Sequence, residues 1–279
     1  MFLVVGANGQ LGNELRLLLK DKATYVDRDE LDITDKNAVE KFFAENSFEA
    51  IINCAAYTAV DKAENDEKLA ELINVEGPRN LAASGLPLIH ISTDYVFDGT
   101  SSVPYVEEDK PNPQTVYGRT KLAGEKAVLE TAKTAIIIRT AWLYSTFGNN
   151  FVKTMRRLGA ERSSLNVVFD QVGTPTYAAD LANAIVDILP KIKSGMKEIY
   201  HYSNEGVCSW YDFALAVMTQ SDLNCEVLPI ESKEYPTPAK RPNYSVLNKG
   251  KIKRDFGIKI NNWAVSLAEC IEKMSAFEK

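Results

Sequence analysis

The sequence predicts an α/β fold with a doubly wound parallel sheet, that is, a sheet covered by helices on both faces. Two observations lead to this prediction. Short runs rich in β-branched residues alternate with segments of helical period through the first half of the chain, and these runs are apolar almost without interruption. Such runs are typical of strands buried on both sides, and strand–helix alternation is typical of parallel sheets.

The individual elements follow from the same patterns. The first helix is predicted from four leucines on one face, and the second from an apolar face that begins after the capping candidate Thr34. A charged run, "DKAENDEK" (61–68), reads as the solvated face of a further helix. The predicted strands are 2–5, 23–26, 50–54, 88–92 and 135–139. The two apolar faces comprise Leu11, Leu15, Leu18 and Leu19, and then Val39, Phe42 and Phe43.

Bulk properties limit the classes of function. The 279 residues carry a formal net charge of −6, which argues against nucleic acid or an anionic membrane as a partner. No apolar run approaches the roughly 20 residues that span a bilayer, and no targeting segment precedes the first strand. The four cysteines and two histidines lack metal-ligand spacing, so we expect no metal site and a reducing, cytoplasmic location.

A glycine-rich loop, "VVGANGQLG", separates the first strand from the first helix. Gly6 suits the tight turn out of the strand, Gly9 allows a pyrophosphate to approach the backbone, and Gly12 allows close packing of helix on sheet. The start of the helix then offers free N–H groups and a positive dipole to the phosphates. The loop therefore predicts a dinucleotide-binding, Rossmann-like domain.

The second strand ends in "VDRDELDI", where a dinucleotide fold contacts the adenosine. Asp27 favours the free ribose hydroxyls of NAD, whereas Arg28 favours the 2′-phosphate of NADP; Asp32 and Ile33 suit the adenine. Because both types of residue are adjacent, the sequence leaves NADH and NADPH open. An ordinary charged loop is an equally good interpretation of Arg28.

Beyond about residue 145 the pattern loosens into turn-rich segments such as "STFGNNF", "DQVGTPTY" and "YPTPAKRPNYS". Helical stretches at 178–189 and 211–218 lie between them. We therefore assign 1–145 to the dinucleotide-binding domain and 146–279 mainly to a smaller, partly irregular substrate-binding lobe. A segment at about 175–195 is expected to return to the first domain.

A candidate catalytic pair lies in "VYGRTK", where Tyr117 and Lys121 are one helical turn apart. An ammonium beside a phenol lowers its pKa and improves proton exchange. Thr93 ends a predicted inner strand, at the sheet edge where α/β proteins bind ligands. The small residues Cys54, Ala55 and Ala56 follow another strand and allow a cofactor to lie close.

With its G-x-x-G-x-x-G spacing, the chain resembles the extended branch of the short-chain dehydrogenase/reductase superfamily. Along nearly its whole length it is similar to the dTDP-4-dehydrorhamnose reductase family. The similarity is carried by "GANGQLG", "AAYTAVDKAE", "STDYVFDG", "VYGRTKLAGEKAV", "RTAWLY", "GNNFVKTM", "DQVGTPT" and "YPTPAKRPNYSVLN".

This resemblance implies reduction of the C4 ketone of dTDP-4-dehydro-L-rhamnose to dTDP-L-rhamnose, a step in nucleotide-sugar and cell-surface polysaccharide biosynthesis. Tyr117 would donate the proton with Lys121 as its partner, Thr93 would bind the sugar carbonyl, and Asp94 and Trp142 would contact the sugar. The positions that match cofactor contacts in the family are Gln10, Leu11, Gly12, Asp27, Asp32, Ile33, Ala56, Tyr57, Thr58, Ile91, Tyr117 and Lys121. The predicted cofactor site also includes Gly6, Gly9, Arg28 and Ala55.

Some members of the family bind magnesium at a homodimer interface through acidic residues. Glu14 matches one of them, but Ala179 and Asp180 stand where an acidic pair is expected. We therefore leave magnesium and the homodimer open, and we interpret Glu14 as an exposed carboxylate in the first helical turn.

Three other classes of protein share the fold and motifs described above. A dehydratase would carry Asp-Glu after the strand-end threonine, whereas Thr93 is followed by Asp94 and Tyr95. An epimerase or another 4-reductase would use the same threonine, tyrosine and lysine. A regulatory subunit of methionine adenosyltransferase would keep the fold and act as a non-catalytic binding protein.

Overall fold

The computed structural model describes residues 1–277, and its centre is one six-stranded parallel sheet. The strand order is β2-β1-β3-β4-β5-β10. The chain adds β2 on one side of β1 and the later strands on the other side, so the topological switch point lies between β1 and β3. This arrangement confirms the predicted doubly wound sheet. The strands are β1 (Phe2–Val5), β2 (Ala23–Val26), β3 (Ala50–Asn53), β4 (Leu88–Thr93), β5 (Ala135–Thr140) and β10 (Lys197–His201).

Helices cover both faces because successive strand residues point to opposite sides. Val4 faces a core formed with α1 and α8, whereas Leu3 and Val5 face a core formed with α2, α5 and α6. The helices up to residue 188 are α1 (Gln10–Leu19), α2 (Lys36–Glu45), α3 (Val60–Ala63), α4 (Glu67–Glu71), α5 (Gly77–Ala82), α6 (Val116–Thr131), α7 (Phe151–Glu161) and α8 (Ala178–Ile188).

Three local predictions need correction. Leu18 was placed on the buried face of α1, but it is 41% exposed, because only Leu11, Leu15 and Leu19 fall on the side facing the sheet. The N-cap of α2 is Asp35, whose carboxylate accepts from the backbone of the first turn. Thr34 instead donates its hydroxyl to Asp32 (2.6 Å).

The second half of the chain builds a separate apolar core from α7, α9 and α11. The predicted division at residue 145 stays a prediction. After this point the chain returns to the sheet: α8 packs on α1, and β10 pairs with β5, so the returning segment extends as far as residue 201. The remaining elements are β6 (Leu143–Tyr144), β7 (Ser164–Val168), β8 (Val172–Gly173), β9 (Thr176–Tyr177), β11 (Cys208–Ser209), α9 (Trp210–Gln220), β12 (Glu226–Ile230), α10 (Gly250–Phe256) and α11 (Trp263–Phe277).

Across residues 1–277, none of the helices is both long and apolar enough to cross a membrane. The four cysteines, Cys54, Cys208, Cys225 and Cys270, are all free thiols.

Candidate active site

The glycine loop follows β1 at the point where the sheet reverses direction. Gly6 has a φ of +75°, and a Cβ there would lie 2.6 Å from the backbone nitrogen of Ala55. A Cβ on Gly12 would lie 2.5 Å from the carbonyl oxygen of Gly6. Both positions therefore require glycine, as the sequence predicts. Gly9 is the N-cap of α1 and supplies no side-chain cap, so the first N–H groups of the helix face the adjoining cavity.

One cavity of about 370 Å³ runs from this loop along the end of β2. The Asp27 carboxylate accepts from the backbone N–H of Asn8 (2.9 Å) and so ties β2 to the glycine loop. Arg28 extends into solvent with 78% of its side chain exposed, 3.7 Å from Asp32. The predicted adenosine-side residues that line this cavity are Gly6, Gly9, Asp27, Arg28, Asp32, Ile33, Ala55 and Ala56.

A second cavity, of about 530 Å³, shares Gly9, Cys54 and Ala56 with the first. The two cavities therefore form one groove, long enough to run from the end of β2 to the ends of β4 and β5. Of the predicted residues, the second cavity brings together Gln10, Leu11, Gly12, Thr58, Ile91, Thr93, Asp94, Tyr117, Lys121 and Trp142.

Tyr57 is the predicted cofactor residue that lines neither cavity. Its hydroxyl donates to Asp66 (3.3 Å), and its backbone N–H donates to the buried side chain of Asn74 (2.8 Å). Asn74 lies in a π-helical turn at Leu72–Glu76 and also donates to Thr120 on α6 (3.0 Å). Through Asn74, Tyr57 thus connects the loop after β3 to the helix that carries the candidate catalytic pair.

The start of α6 is fixed by caps and by an aromatic contact. Thr115 accepts from the N–H of Gly118 (3.0 Å), and Glu64 accepts from the N–H of Val116 (2.9 Å). The rings of Tyr95 and Tyr117 meet edge to face at 5.4 Å. The charged run at 61–68 therefore does more than face solvent, because Glu64 caps the helix that carries the candidate catalytic pair.

Lys121 is 1% exposed and donates from Nζ to the carbonyl oxygen of Ile91 (2.7 Å). Burial lowers its pKa to about 8, although the Glu125 carboxylate one turn further along opposes this shift. Burial raises the pKa of Tyr117 to about 12, partly offset by a hydrogen bond with Thr93. The expected lowering of the Tyr117 pKa by Lys121 is wrong for this structure, because desolvation dominates and the lysine is held by Ile91. Tyr117 therefore keeps its proton at neutral pH.

Thr93 has two roles at the end of β4. Its hydroxyl donates to Asp94 (3.0 Å) and accepts from the N–H of Tyr95 (3.2 Å), so it caps the short turn that follows the strand. It also lines the second cavity together with Tyr117. Burial raises the pKa of Asp94 to about 6, against the hydrogen bonds that it accepts from Ser245 and Thr93.

Trp142 lines the second cavity on the side of the lobe. It follows β5 with a φ of +48°, a strained conformation for a residue with a side chain, and strain of this kind is common at functional sites. Its ring stacks on Trp210 with centroids 3.6 Å apart. A Cβ on Gly173 would lie 2.7 Å from the Trp142 ring, so the lobe closes tightly around it.

An ion pair between Asp61 on α3 and Arg241 in the lobe was missed by the sequence analysis. Two guanidinium nitrogens donate to the two carboxylate oxygens, at 3.1 and 2.7 Å, and the N–H of Ala239 donates to the same carboxylate. The pair fastens the "PAKRPNYS" segment to α3. Proline and glycine content predicted a turn there, but no local pattern indicates a partner 180 residues away.

The residues that match the magnesium site of some family members have partners within this chain. Glu14 is 4% exposed and accepts from Ser145 (2.6 Å), so its interpretation as an exposed carboxylate is wrong. Asp180 accepts from Asn204 (2.6 Å), and the Lys273 ammonium lies close enough to Glu14 to lower its pKa against the dominant effect of burial. Within 1–277, no three acidic, histidine or cysteine residues are grouped to hold a metal ion.

The glycine loop lies at the switch point of a parallel sheet, and one groove joins it to a threonine, a tyrosine and a lysine. This combination defines an oxidoreductase of the extended short-chain dehydrogenase/reductase class. The family model described as "RmlD substrate binding domain" matches residues 1–276, and the chain belongs to this family.

Individual relatives agree with the family assignment. The chain is 42% identical to dTDP-4-dehydrorhamnose reductase of Aggregatibacter actinomycetemcomitans, over 95% of this chain and 96% of that protein. It is 40% identical to a probable dTDP-4,6-dihydroxy-2-methyloxan-3-one 4-ketoreductase of Streptomyces antibioticus, over 99% and 96%. The crystal structure of dTDP-4-dehydrorhamnose reductase from Bacillus anthracis in complex with NADP matches with a TM-score of 0.93 and 39% identity, over 98% of each chain.

Proposed function

We propose that this protein uses NADPH or NADH to reduce the C4 ketone of dTDP-4-dehydro-L-rhamnose to dTDP-L-rhamnose. The observation that carries the proposal is the convergence of Thr93, Tyr117 and Lys121 on one cavity that is continuous with the glycine groove. The names of relatives about 40% identical over nearly the full length support the choice of reaction.

When bound, the nicotinamide supplies the hydride to C4. The groove residues would hold the dinucleotide: the N–H groups at the start of α1, which has no side-chain cap, would bind the phosphates, and the small side chains of Cys54 and Ala56 leave room between the two cavities. Lys121 is anchored on Ile91 with N–H groups to spare for a ribose hydroxyl.

Tyr117 gives its proton to the alkoxide that develops at C4. Its raised pKa keeps the hydroxyl protonated through neutral pH, so the proton is available at the moment of transfer. The hydroxyls of Thr93 and Tyr117 lie in the same cavity and would both donate to the carbonyl oxygen, Thr93 by turning its hydrogen away from Asp94, which stabilises the developing negative charge. Asp94, together with the Trp142–Trp210 stack, would hold the sugar in place.

For the cofactor we propose a preference for NADPH. Asp27 already accepts from Asn8, whereas Arg28 is exposed at the same end of the groove and can turn to a 2′-phosphate. The relative from Bacillus anthracis was solved in complex with NADP. The four free thiols suit a reducing compartment, and we propose that the enzyme works in the cytoplasm. The homodimer stays a prediction.

A second keto-sugar of the same class is favoured by the relative from Streptomyces antibioticus, which is named as a probable 4-ketoreductase of a different dTDP-sugar. The test is consumption of NADPH and of NADH, monitored by absorbance, with each of these two 4-keto sugars and with a UDP-linked 4-keto sugar. We expect the fastest oxidation with NADPH and dTDP-4-dehydro-L-rhamnose. If no keto-sugar causes oxidation of either cofactor, the reductase proposal is wrong.

A further inference from the structure

His90 lies inside the molecule, on β4, between the end of β3 and helix α6. It is completely buried, and its two ring nitrogens have different neighbours. Nδ1 lies 3.1 Å from Nδ2 of Asn53, and Nε2 lies 3.4 Å from Nζ of Lys121. The proposed reaction gives this histidine no role, although it adjoins the catalytic lysine.

The position of the hydrogen on His90 follows from its neighbours. The backbone N–H of Ala55 donates to Oδ1 of Asn53 (3.1 Å), so the orientation of the Asn53 amide is fixed and its Nδ2 can only donate. The Asn53 contact with Nδ1 is shorter than the Lys121 contact with Nε2, so Nδ1 is the acceptor. Burial and the Lys121 charge lower the pKa of His90 well below its ordinary value, so the ring is neutral. A neutral ring that accepts at Nδ1 carries its hydrogen on Nε2.

That N–H is directed at the amino group of Lys121. A charged ammonium has three N–H donors and no acceptor, so the ammonium and the ring N–H oppose each other at 3.4 Å. A neutral amine has a lone pair and could accept the ring N–H while still donating to Ile91. The histidine therefore favours the neutral form of Lys121.

Other groups face Lys121 from each element packed against it. Glu125, one turn further on α6, favours the ammonium, but its carboxylate is shared with Arg139 on β5, at 2.9 and 2.8 Å. The Cys54 thiol lies beyond the end of β3, and burial raises its pKa to about 12, so it is neutral at pH 8. Tyr117 on α6 keeps its proton in the same range. His90 is thus the group whose hydrogen position decides between attraction and opposition.

We propose that Asn53 and His90 are positioning residues that set the pH at which Lys121 changes between ammonium and amine. Asn53 fixes the Nε2–H form of His90, and His90 opposes the ammonium, so that Lys121 titrates close to the working pH of the enzyme. The consequence for the reaction rests on the proposed function. The hydrogen position on His90 does not.

His201, the second histidine, provides an internal comparison. Its Nδ1 lies 3.1 Å from the carbonyl oxygen of Tyr105, which can only accept, so the hydrogen is on Nδ1. Its Nε2 lies 3.5 Å from the Arg139 guanidinium, which can only donate. The two histidines of this protein are therefore expected to be opposite tautomers, both neutral at pH 7.

The first test is ¹⁵N–¹H NMR of the whole protein labelled at histidine, without cofactor or substrate. We expect one Nε2–H and one Nδ1–H ring at pH 7. In Asn53→Asp, the carboxylate still accepts from Ala55 and now accepts from His90, so the Nε2–H ring should change to Nδ1–H while the His201 signals stay. Two Nδ1–H rings in the unaltered protein, or a charged His90, would overturn the proposal.

The second test is the pH dependence of kcat/KM for keto-sugar reduction. In Asn53→Asp, Nε2 of His90 accepts from Lys121, and the basic limb should move up by roughly one pH unit or more. His90→Phe removes the ring N–H without adding a charge, and it should move the limb in the same direction by less. The double variant Asn53→Asp/His90→Phe measures how far the new carboxylate moves the basic limb without His90.

The outcomes separate the possible errors. A double variant that moves the limb as far as Asn53→Asp would show that His90 transmits nothing, and a His90→Phe variant that loses rate with the limb unmoved would show a structural role only. Either result overturns the proposal. If none of the proteins reduces a keto-sugar, the proposed function is wrong, and the NMR measurement on the unaltered protein still decides the tautomer.

Discussion

The sheet half and the lobe half of the active site are held together by different forces. On the sheet side, Gly6, Thr93 and Lys121 are fixed by backbone packing and by strand ends that the parallel register aligns. On the lobe side, the cavity wall depends on side-chain contacts between distant segments, namely the Trp142–Trp210 stack and the Asp61–Arg241 ion pair. We therefore expect changes on the sheet side to affect the chemical step, and changes on the lobe side to affect mainly sugar binding.

The largest effect should come from Tyr117→Phe, because the variant lacks the hydroxyl that we propose as the proton donor to the alkoxide oxygen on C4. We expect kcat to fall by about 10²- to 10⁴-fold, the range of general acid catalysis, with little change in the Kd for NADPH. Stopped-flow or steady-state NADPH oxidation and a fluorescence titration measure the two quantities. Near-normal turnover would remove Tyr117 as the proton donor.

Gly124→Ala should break the sheet side by displacing α6. A Cβ at this position would lie 2.0 Å from the backbone carbonyl oxygen of Asn74, which no rotamer change relieves. We expect a loss of about 1–3 kcal/mol in the free energy of unfolding. Urea denaturation measures the loss, and Lys126→Ala, an exposed change on the same helix, should stay within about 0.5 kcal/mol of the unaltered protein. Equal stability of the two variants would contradict the close packing of α6 against the backbone of Asn74.

Arg241→Gln should loosen the lobe side. The pair with Asp61 is partly exposed, so its loss should cost only about 0.2–1 kcal/mol of stability. Because the released segment includes Ser245, whose hydroxyl lowers the pKa of Asp94, we expect the KM for the sugar nucleotide to rise several-fold, with kcat and NADPH affinity little changed. Arg119→Gln, which breaks the surface pair with Glu67, is the matched control. A fall in kcat with an unchanged KM would contradict the comparison.

The smallest effect should be a pH dependence of sugar binding at Asp94, which lies directly after β4 and interacts with Ser245 of the lobe. With its pKa raised to about 6, Asp94 is charged above pH 6 and accepts hydrogen bonds, and it becomes protonated as the pH falls through 6. We expect the KM for the sugar nucleotide to rise below about pH 6, and this acidic limb should be absent in Asp94→Asn. The measurement is KM against pH between 5 and 8. If the acidic limb is unchanged in Asp94→Asn, the limb reflects the titration of another group.

The sheet side could be read from the sequence because its signals are local. Strand runs, the three glycines and the Tyr117–Lys121 spacing all lie within single elements, and the structure brings them to one groove. The errors arose where burial decided the chemistry. Glu14 and Tyr117 look like ordinary ionisable residues in the sequence, and only the structure reveals the desolvation that raises their pKa values.

The lobe side was predictable only in outline. Turn-rich composition indicated an irregular region, but the partners Trp210 for Trp142 and Arg241 for Asp61 come from distant parts of the chain. The same is true of Asn53 and His90, which are neighbours only because β3 and β4 pair in parallel register. Contacts of this kind have no periodicity for a single sequence to display.

The most direct test of the proposed reaction is the fate of a deuteride carried on C4 of NADPH. The purified protein is mixed with dTDP-4-dehydro-L-rhamnose and cofactor labelled in turn on each face of the nicotinamide, and the sugar product is analysed by NMR and mass spectrometry. We predict one deuterium at C4 of the sugar from one of the two faces, with one NADPH oxidised per sugar reduced. A product without deuterium from either cofactor, or an altered sugar without net oxidation of NADPH, would contradict the reductase mechanism.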